Sequence, residues 1–162
     1  MLYTSYYQSP FGWFEIKGSL LGLQSVKLVK QKGEESDRTP EILLSTMQQL
    51  DQYFNKKREI FKLHLDWEGK SEFHQSVWKE LLKIPYGRTT TYSAIAEKLN
   101  NPQAVRAVGL ANRNNPIAII VPCHRVIAKS GDLHGYFYGL DMKRQLLELE
   151  NPMSYARQGS LF

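Results

Sequence analysis

The sequence predicts an α+β chain in two parts: a small β-sheet carrying one helix in residues 1–70, and a helical part with a helix-turn-helix in residues 71–162. Three observations predict it. Alternating, aromatic-rich segments broken by Pro and Gly fill the first third of the chain. Apolar residues at helical spacing dominate after Ser71. Two short helical segments then meet across Asn100-Asn101.

Leu2 to Gln8 reads as a strand that stops at Ser9-Pro10. Trp13 to Lys17 alternates, Gly18-Ser19 breaks it, and Leu21 to Val29 resumes a β-like pattern. The polar run Lys30 to Pro40 ends this set. In Glu41 to Phe54, opened by Thr39 or Pro40, the residues Ile42, Leu43, Met47, Leu50 and Phe54 recur with helical period. Phe61 to Asp66 returns to alternation and could pair as a further strand. Ser71 is a suitable N-cap for a helix whose inner face carries Phe73, Val77, Leu81 and Leu82 and which ends at Ile84-Pro85-Tyr86-Gly87. Thr91 caps the next helix, Tyr92 to Leu99, with Ile95 and Leu99 inward. Asn100-Asn101 makes a turn, and Pro102 suits the first position of a helix to Asn112. A strand is expected at Ile117 to Val121, and a last helix from Asp141 to about Glu150. Asn151 to Phe162 has no periodicity and reads as a tail.

Hydrophobic residues at 42% and charged residues at 23% are enough to bury a core without cross-links, and the single cysteine, Cys123, permits no internal disulfide. One cysteine beside four histidines also excludes the usual four-ligand zinc sites, so no metal is expected. A reducing compartment suits this composition. The start of the chain lacks a basic segment followed by an apolar run, and the longest apolar stretch, Ile117 to Val121, is far too short to cross a bilayer. The expectation is a cytoplasmic protein without a membrane partner.

The net charge of +5 is unevenly placed. Between Ile84 and Gly131 stand Arg88, Lys98, Arg106, Arg113, Arg125 and Lys129 against Glu97 alone, so this stretch holds the whole excess. That is expected of a polyanion-binding face, although a merely solvated basic surface has the same composition. In residues 103–111, QAVRAVGLA, the small Ala104, Ala107, Gly109 and Ala111 leave a smooth surface from which Arg106 projects. Small residues serve helix packing as well; the basic neighbours tilt the reading toward nucleic acid.

Residues 122–126, Pro-Cys-His-Arg-Val, carry the chemistry. A lone cysteine is by default a small buried hydrophobe. Beside Cys123, however, stand His124 and Arg125, and cationic or proton-accepting groups favour the nucleophilic thiolate. Adjacent side chains of an extended segment point apart, so His124 can act on Cys123 only across a turn or through water.

From Glu72 to Glu150 the chain resembles the O6-alkylguanine-DNA alkyltransferases. The resemblance rests on FHQSVWKELLKIPYGRTTTYSAIA, NPQAVRAVG, NRNNPIAIIVPCHRVI, GDLHGY and LLELE, in the family's order and spacing, with PCHRV as its active-site motif. It implies a winged-helix-like second domain carrying the active-site cysteine. It also implies repair of double-stranded DNA by one irreversible transfer, to Cys123, of the alkyl group on O6 of a flipped guanine. O4-alkylthymine would be a second substrate. No cofactor is needed, and the protein would act as a monomer.

Position by position, the resemblance makes Cys123 the acceptor, His124 its water-linked base and Glu150 the residue orienting that histidine. Tyr92 would press on the phosphate backbone and donate to N3 of the base. Arg106 would fill the gap left in the stack, with Ala104, Ala107, Gly109 and Arg113 also at the DNA. Asn115 would brace the turn before the active-site strand. Tyr136 would stack on the base, the carbonyls of Cys123 and Val126 would accept from its exocyclic amine, and the backbone N–H of Phe137 would meet O6. The chain departs from the family at His134, Phe137 and Tyr138, where smaller residues are usual; these three are predicted to narrow the alkyl pocket. The alternative is an alkyltransferase-like protein that binds lesions without repairing them. Such proteins usually carry tryptophan at the cysteine position, whereas this chain keeps Cys123.

Overall fold

The computed structural model describes residues 1–153; the rest of the expected tail, 154–162, lies outside the described residues. The described chain divides into two compact units, residues 1–69 with 116–118, and residues 70–115 with those from 119 on. Among the described residues no helix is long and apolar enough to cross a membrane.

The first unit is an antiparallel meander of β1 (Tyr3–Ser9), β2 (Gly12–Ser19) and β3 (Gly22–Val29), in the order β1-β2-β3. Tyr3 pairs with Gly18 and Trp13 with Val29, and the register shifts between Lys17 and Gly18. At Gly18 a β-carbon would come within 2.9 Å of the Gly22 carbonyl, so the bulge admits only glycine without rearrangement. Helix α1 (Glu41–Phe54) packs on β1 and β2. Its buried stripe is Leu43, Thr46, Gln49, Leu50 and Tyr53, one step round from the expected one. Phe54 is only partly covered, 6.4 Å from the ring of Phe14.

Two expected strands are corrected here. Phe61 to Asp66 touches β3 by a single bridge, Leu23 to Leu65, held by two backbone bonds of 2.8 Å. Ile117 to Val121 likewise makes one bridge, from Ile117 to Val26, and then turns, with Ile119 at φ +70°. Both segments are apolar enough for strands. Each, however, touches β3 only at a single bridge, and neither extends into a ladder.

In the second unit, α2 (Glu72–Leu81), α3 (Tyr92–Lys98) and α4 (Val105–Arg113) pack on one another. The Ser71 side chain caps α2 by accepting from the His74 N–H, and Thr91 caps α3 by accepting from Ala94. The inner face of α2 is Val77, Trp78 and Leu81; Leu82, expected inside, is exposed. Trp78 is 1% exposed and its Nε1–H donates to the Ala111 carbonyl at 2.8 Å, tying α2 to α4.

Between α3 and α4, Asn100 takes the left-handed conformation at φ +58°. The Asn101 N–H returns to Ala96 and that of Asn100 to Glu97, a paired C-terminal cap for which asparagine is the best residue after glycine. The helix expected from Pro102 begins later. Ala104 N–H closes a turn on Asn101, and the first helical bond runs from Val108 to Ala104, which makes Ala104 the N-cap. Just before α3, β4 (Thr90–Thr91) pairs in parallel with β5 (Val126–Ile127). A 3-10 turn, Cys123–Arg125, packs against α5 (Leu140–Glu150).

Thr91→Ala should cost about 1 kcal/mol in urea unfolding by removing the α3 cap. Asn100→Gly should be neutral or stabilising, and Asn100→Val should destabilise, because a β-branched side chain resists positive φ.

Candidate active site

Cys123 is 6% exposed, and it opens the 3-10 turn, whose three residues per turn send successive side chains in different directions. Asn115 follows α4, and its Nδ2 donates to the Val121 carbonyl at 2.8 Å and to the Cys123 Sγ at 3.2 Å. It therefore ties the segment after α4, where it was expected to brace a turn, directly to the thiol. Asn112, on the buried side of α4, donates to the Cys123 carbonyl at 3.3 Å.

His124 and Arg125 turn away from the sulfur toward Glu150 at the end of α5. His124 Nε2 lies 2.6 Å from Glu150 Oε2; Arg125 Nε donates to Oε1 at 2.7 Å and its second terminal nitrogen to Oε2 at 3.1 Å. A further Arg125 nitrogen donates to the Ile84 carbonyl at 2.8 Å. Arg125, counted above among the surface charges, is thus buried; Arg88, Lys98, Arg106, Arg113 and Lys129 are exposed.

The cation that bears on the thiol is Lys143, a residue the sequence reading passed over. It is 0% exposed, and its ammonium donates to the Val126 carbonyl and, at 2.7 Å, to that of His134. The available signal was its place in the buried α5 stripe of Met142, Lys143, Leu146, Leu147 and Glu150, where a lysine needs partners. Burial pulls its pKa down to about 8, while the nearby Cys123 raises it.

Burial pushes the Cys123 thiol up, against the Asn115 hydrogen bond and the Lys143 charge. Burial also lowers His124, more than Glu150 raises it, so the imidazole is neutral near pH 7. Burial alone would raise the Glu150 carboxyl, but the contacts with His124 and Arg125 outweigh it and hold it well below the usual carboxylate range. The result is a protonated thiol followed in the chain by a neutral imidazole. His124 Nδ1 has no hydrogen-bond partner among the described residues and is free to accept a proton.

Tyr92, the first residue of α3, donates to the His134 carbonyl at 2.7 Å, and burial raises its hydroxyl to about 12. A β-carbon on Gly109 would stand 3.9 Å from the Tyr92 ring, so that glycine faces Tyr92. Tyr136 is 7% exposed and its hydroxyl is without a partner among the described residues. The Cys123 carbonyl accepts from the Asn112 Nδ2 and from the Val126 N–H, and the Val126 carbonyl accepts from Lys143. On α4, Arg106, Ala107 and Arg113 are exposed and Ala104 and Gly109 partly covered, whereas Ala111, expected on the smooth face, is buried in the core. His134 and Phe137 are exposed, and only Tyr138 of the three expected to narrow the pocket packs against Tyr136, its ring 5.8 Å away.

Glu150→Gln should destabilise the protein by about 3 kcal/mol at pH 7, the usual cost of breaking a buried ion pair. The folded-state pKa of Glu150 is depressed, so its contribution is complete above the unfolded value of about 4.3 and is lost as pH falls below it. Lowered His124 acts in the same direction below about 6.5. Urea unfolding should therefore show stability falling from pH 7 toward pH 4, and the gap to Glu150→Gln closing only below about pH 4.

The chain resembles known proteins over most of its length. The family described as 6-O-methylguanine DNA methyltransferase, DNA binding domain, matches residues 72–152, and its ribonuclease-like domain matches residues 2–67. The methylated-DNA–protein-cysteine methyltransferase of Methanosarcina acetivorans is 46% identical over 154 residues, covering 92% of this chain and 98% of that one. The Mycobacterium tuberculosis protein of the same name is 45% identical, with 96% of each chain covered. The crystal structure of M. tuberculosis O6-methylguanine methyltransferase superposes with a TM-score of 0.83 at 41% identity, covering 100% of both chains. That of M. tuberculosis OGT in complex with DNA gives 0.80 at 44% identity, covering 91% of each. The chain belongs to the 6-O-methylguanine DNA methyltransferase family.

Proposed function

We propose that this protein repairs DNA by moving the alkyl group from O6 of guanine onto Cys123, once per molecule and without a cofactor. The observation that carries the proposal is the buried Cys123 thiol held by Asn115, followed in the chain by an imidazole whose Nε2 is fixed by Glu150. Residues 71–162 would bind the DNA and accept the alkyl group, with 1–70 as the accompanying domain of a monomer acting in the cytoplasm. O4-alkylthymine presents the same alkyl–oxygen bond and would be a second substrate.

The base must leave the duplex to reach a buried thiol, at a cost of a few kcal/mol. Exposed Arg106 would fill the vacancy, while Ala104, Ala107, Gly109 and Arg113 let α4 approach the backbone closely. Tyr136 would stack on the flipped base. The Cys123 and Val126 carbonyls would accept from its exocyclic amine, and the Phe137 N–H would meet O6. Tyr92 would exchange its bond to the His134 carbonyl for one to N3.

The thiol proton passes through water to His124 Nδ1. Sulfur attacks the alkyl carbon as the carbon–oxygen bond breaks, and the electron pair of that bond delocalises into guanine. A proton from Tyr92 at N3 neutralises the leaving base, and solvent restores the phenol. The protonated imidazole is stabilised by Glu150. The product thioether has no ready leaving group, so the thiol is not regenerated.

Mixing the protein with duplex DNA containing one O6-methylguanine should add one methylene mass to the Cys123 peptide, saturating at one per chain, and Cys123→Ala should bind without mass gain. Binding of the lesion by the wild type with no mass gain would instead identify a lesion-binding protein. Because Tyr138 packs on Tyr136, single-turnover rates should be lower for O6-benzylguanine than for O6-methylguanine in the same duplex, and Tyr138→Gly should narrow the difference. Equal rates in the wild type would remove Tyr138 as a size filter.

A further inference from the structure

An aromatic series leads from the buried Tyr136 to the surface. Tyr136 meets Tyr138 edge-on at 5.8 Å, and Tyr138 meets Phe137 edge-on at 5.0 Å. The Arg113 guanidinium lies over the Phe137 ring, 5.8 Å from its centroid. Even with Arg113 over it, Phe137 remains 61% exposed. The loop that displays it is not loosely held. Its His134 carbonyl accepts from both Tyr92 and Lys143, and the Gly139 N–H closes a turn on Tyr136. A fixed, exposed aromatic ring backed by a guanidinium is the arrangement on which unpaired bases stack, since every base has a π-face and the cation attracts the adjoining phosphate. Exposed Arg106 and Arg113 on α4 supply the matching charge for a nucleic-acid strand.

We propose that Phe137, with Arg113 behind it, is a stacking site for an unpaired nucleobase, and that it extends binding to single-stranded DNA. The proposal rests on the function above only in taking that base to be the neighbour of the one entering the Cys123 pocket. In an undamaged duplex the bases are stacked on one another and do not reach the ring; in a single strand they do. The Phe137 side chain thereby contributes to single-strand affinity without neutralising any phosphate, whereas Arg113 contributes charge as well.

The test is fluorescence anisotropy with labelled oligothymidine, free of any lesion, against an undamaged duplex. Phe137→Ala should weaken single-strand binding by roughly five- to a hundredfold, weaken duplex binding less, and leave the slope of log affinity against log salt unchanged. Phe137→Tyr, which keeps the ring, should bind like the wild type, and Arg113→Gln should lower both affinity and slope. Wild-type affinity of Phe137→Ala for the single strand, an equal loss on duplex, or failure of Phe137→Tyr to retain binding overturns the proposal. Methyl transfer to Cys123, followed by mass on the same proteins, reads the repair function separately: its absence would defeat that reading and leave the stacking result standing.

Discussion

The carboxylate of Glu150 organises the site. It stands at the end of α5, buried, and holds two successive residues of the turn that carries the thiol, His124 through one contact and Arg125 through two. Arg125 extends the same tie to the Ile84 carbonyl beyond α2. A buried carboxylate is costly unless its lone pairs are filled, and three close donors fill them here. The consequence is geometric. With both neighbours drawn toward α5, Cys123 is left facing Asn115, and the orientation of the turn follows from where the charge can be satisfied.

The thiol itself is kept in reserve. Burial holds it protonated, while Asn115 and the Lys143 ammonium oppose burial without overcoming it. His124 is neutral as well, because burial outweighs the pull of Glu150. Lys143 also holds the loop that carries Tyr136, through the His134 carbonyl it shares with Tyr92. One buried ammonium thus links the electrostatics of the sulfur to the position of the loop.

The helix-turn-helix depends on capping more than on hydrophobic pattern. Thr91 starts α3 and places Tyr92 in its first turn, and left-handed Asn100 ends it so that α4 can begin at Ala104. Trp78 fastens the buried side of α4 through the Ala111 carbonyl. The opposite side remains in water with Arg106, Leu110 and Arg113.

Local chemistry made much of this legible in the sequence. The three strands of the meander, α1, the caps at Ser71 and Thr91, the Asn100 turn and the Pro-Cys-His-Arg-Val motif all follow from interactions within a few residues. Ile117 to Val121 and Phe61 to Asp66 were misread as strands because alternation and apolarity describe a side chain's preference, whereas a strand also needs a partner edge of sufficient length. Ala111 looked like part of a smooth exposed surface because small size does not say which side of a helix faces the core. The partners of Lys143 and of Arg125 could not be read. They lie 17 and 25 residues away, and a buried charge is placed by whichever donors and acceptors the packed chain brings within about 3 Å. The sequence by itself determined the local elements and the residue types of the site; tertiary structure decided which of those residues meet, because the cost of burying each charge depends on neighbours that only folding supplies.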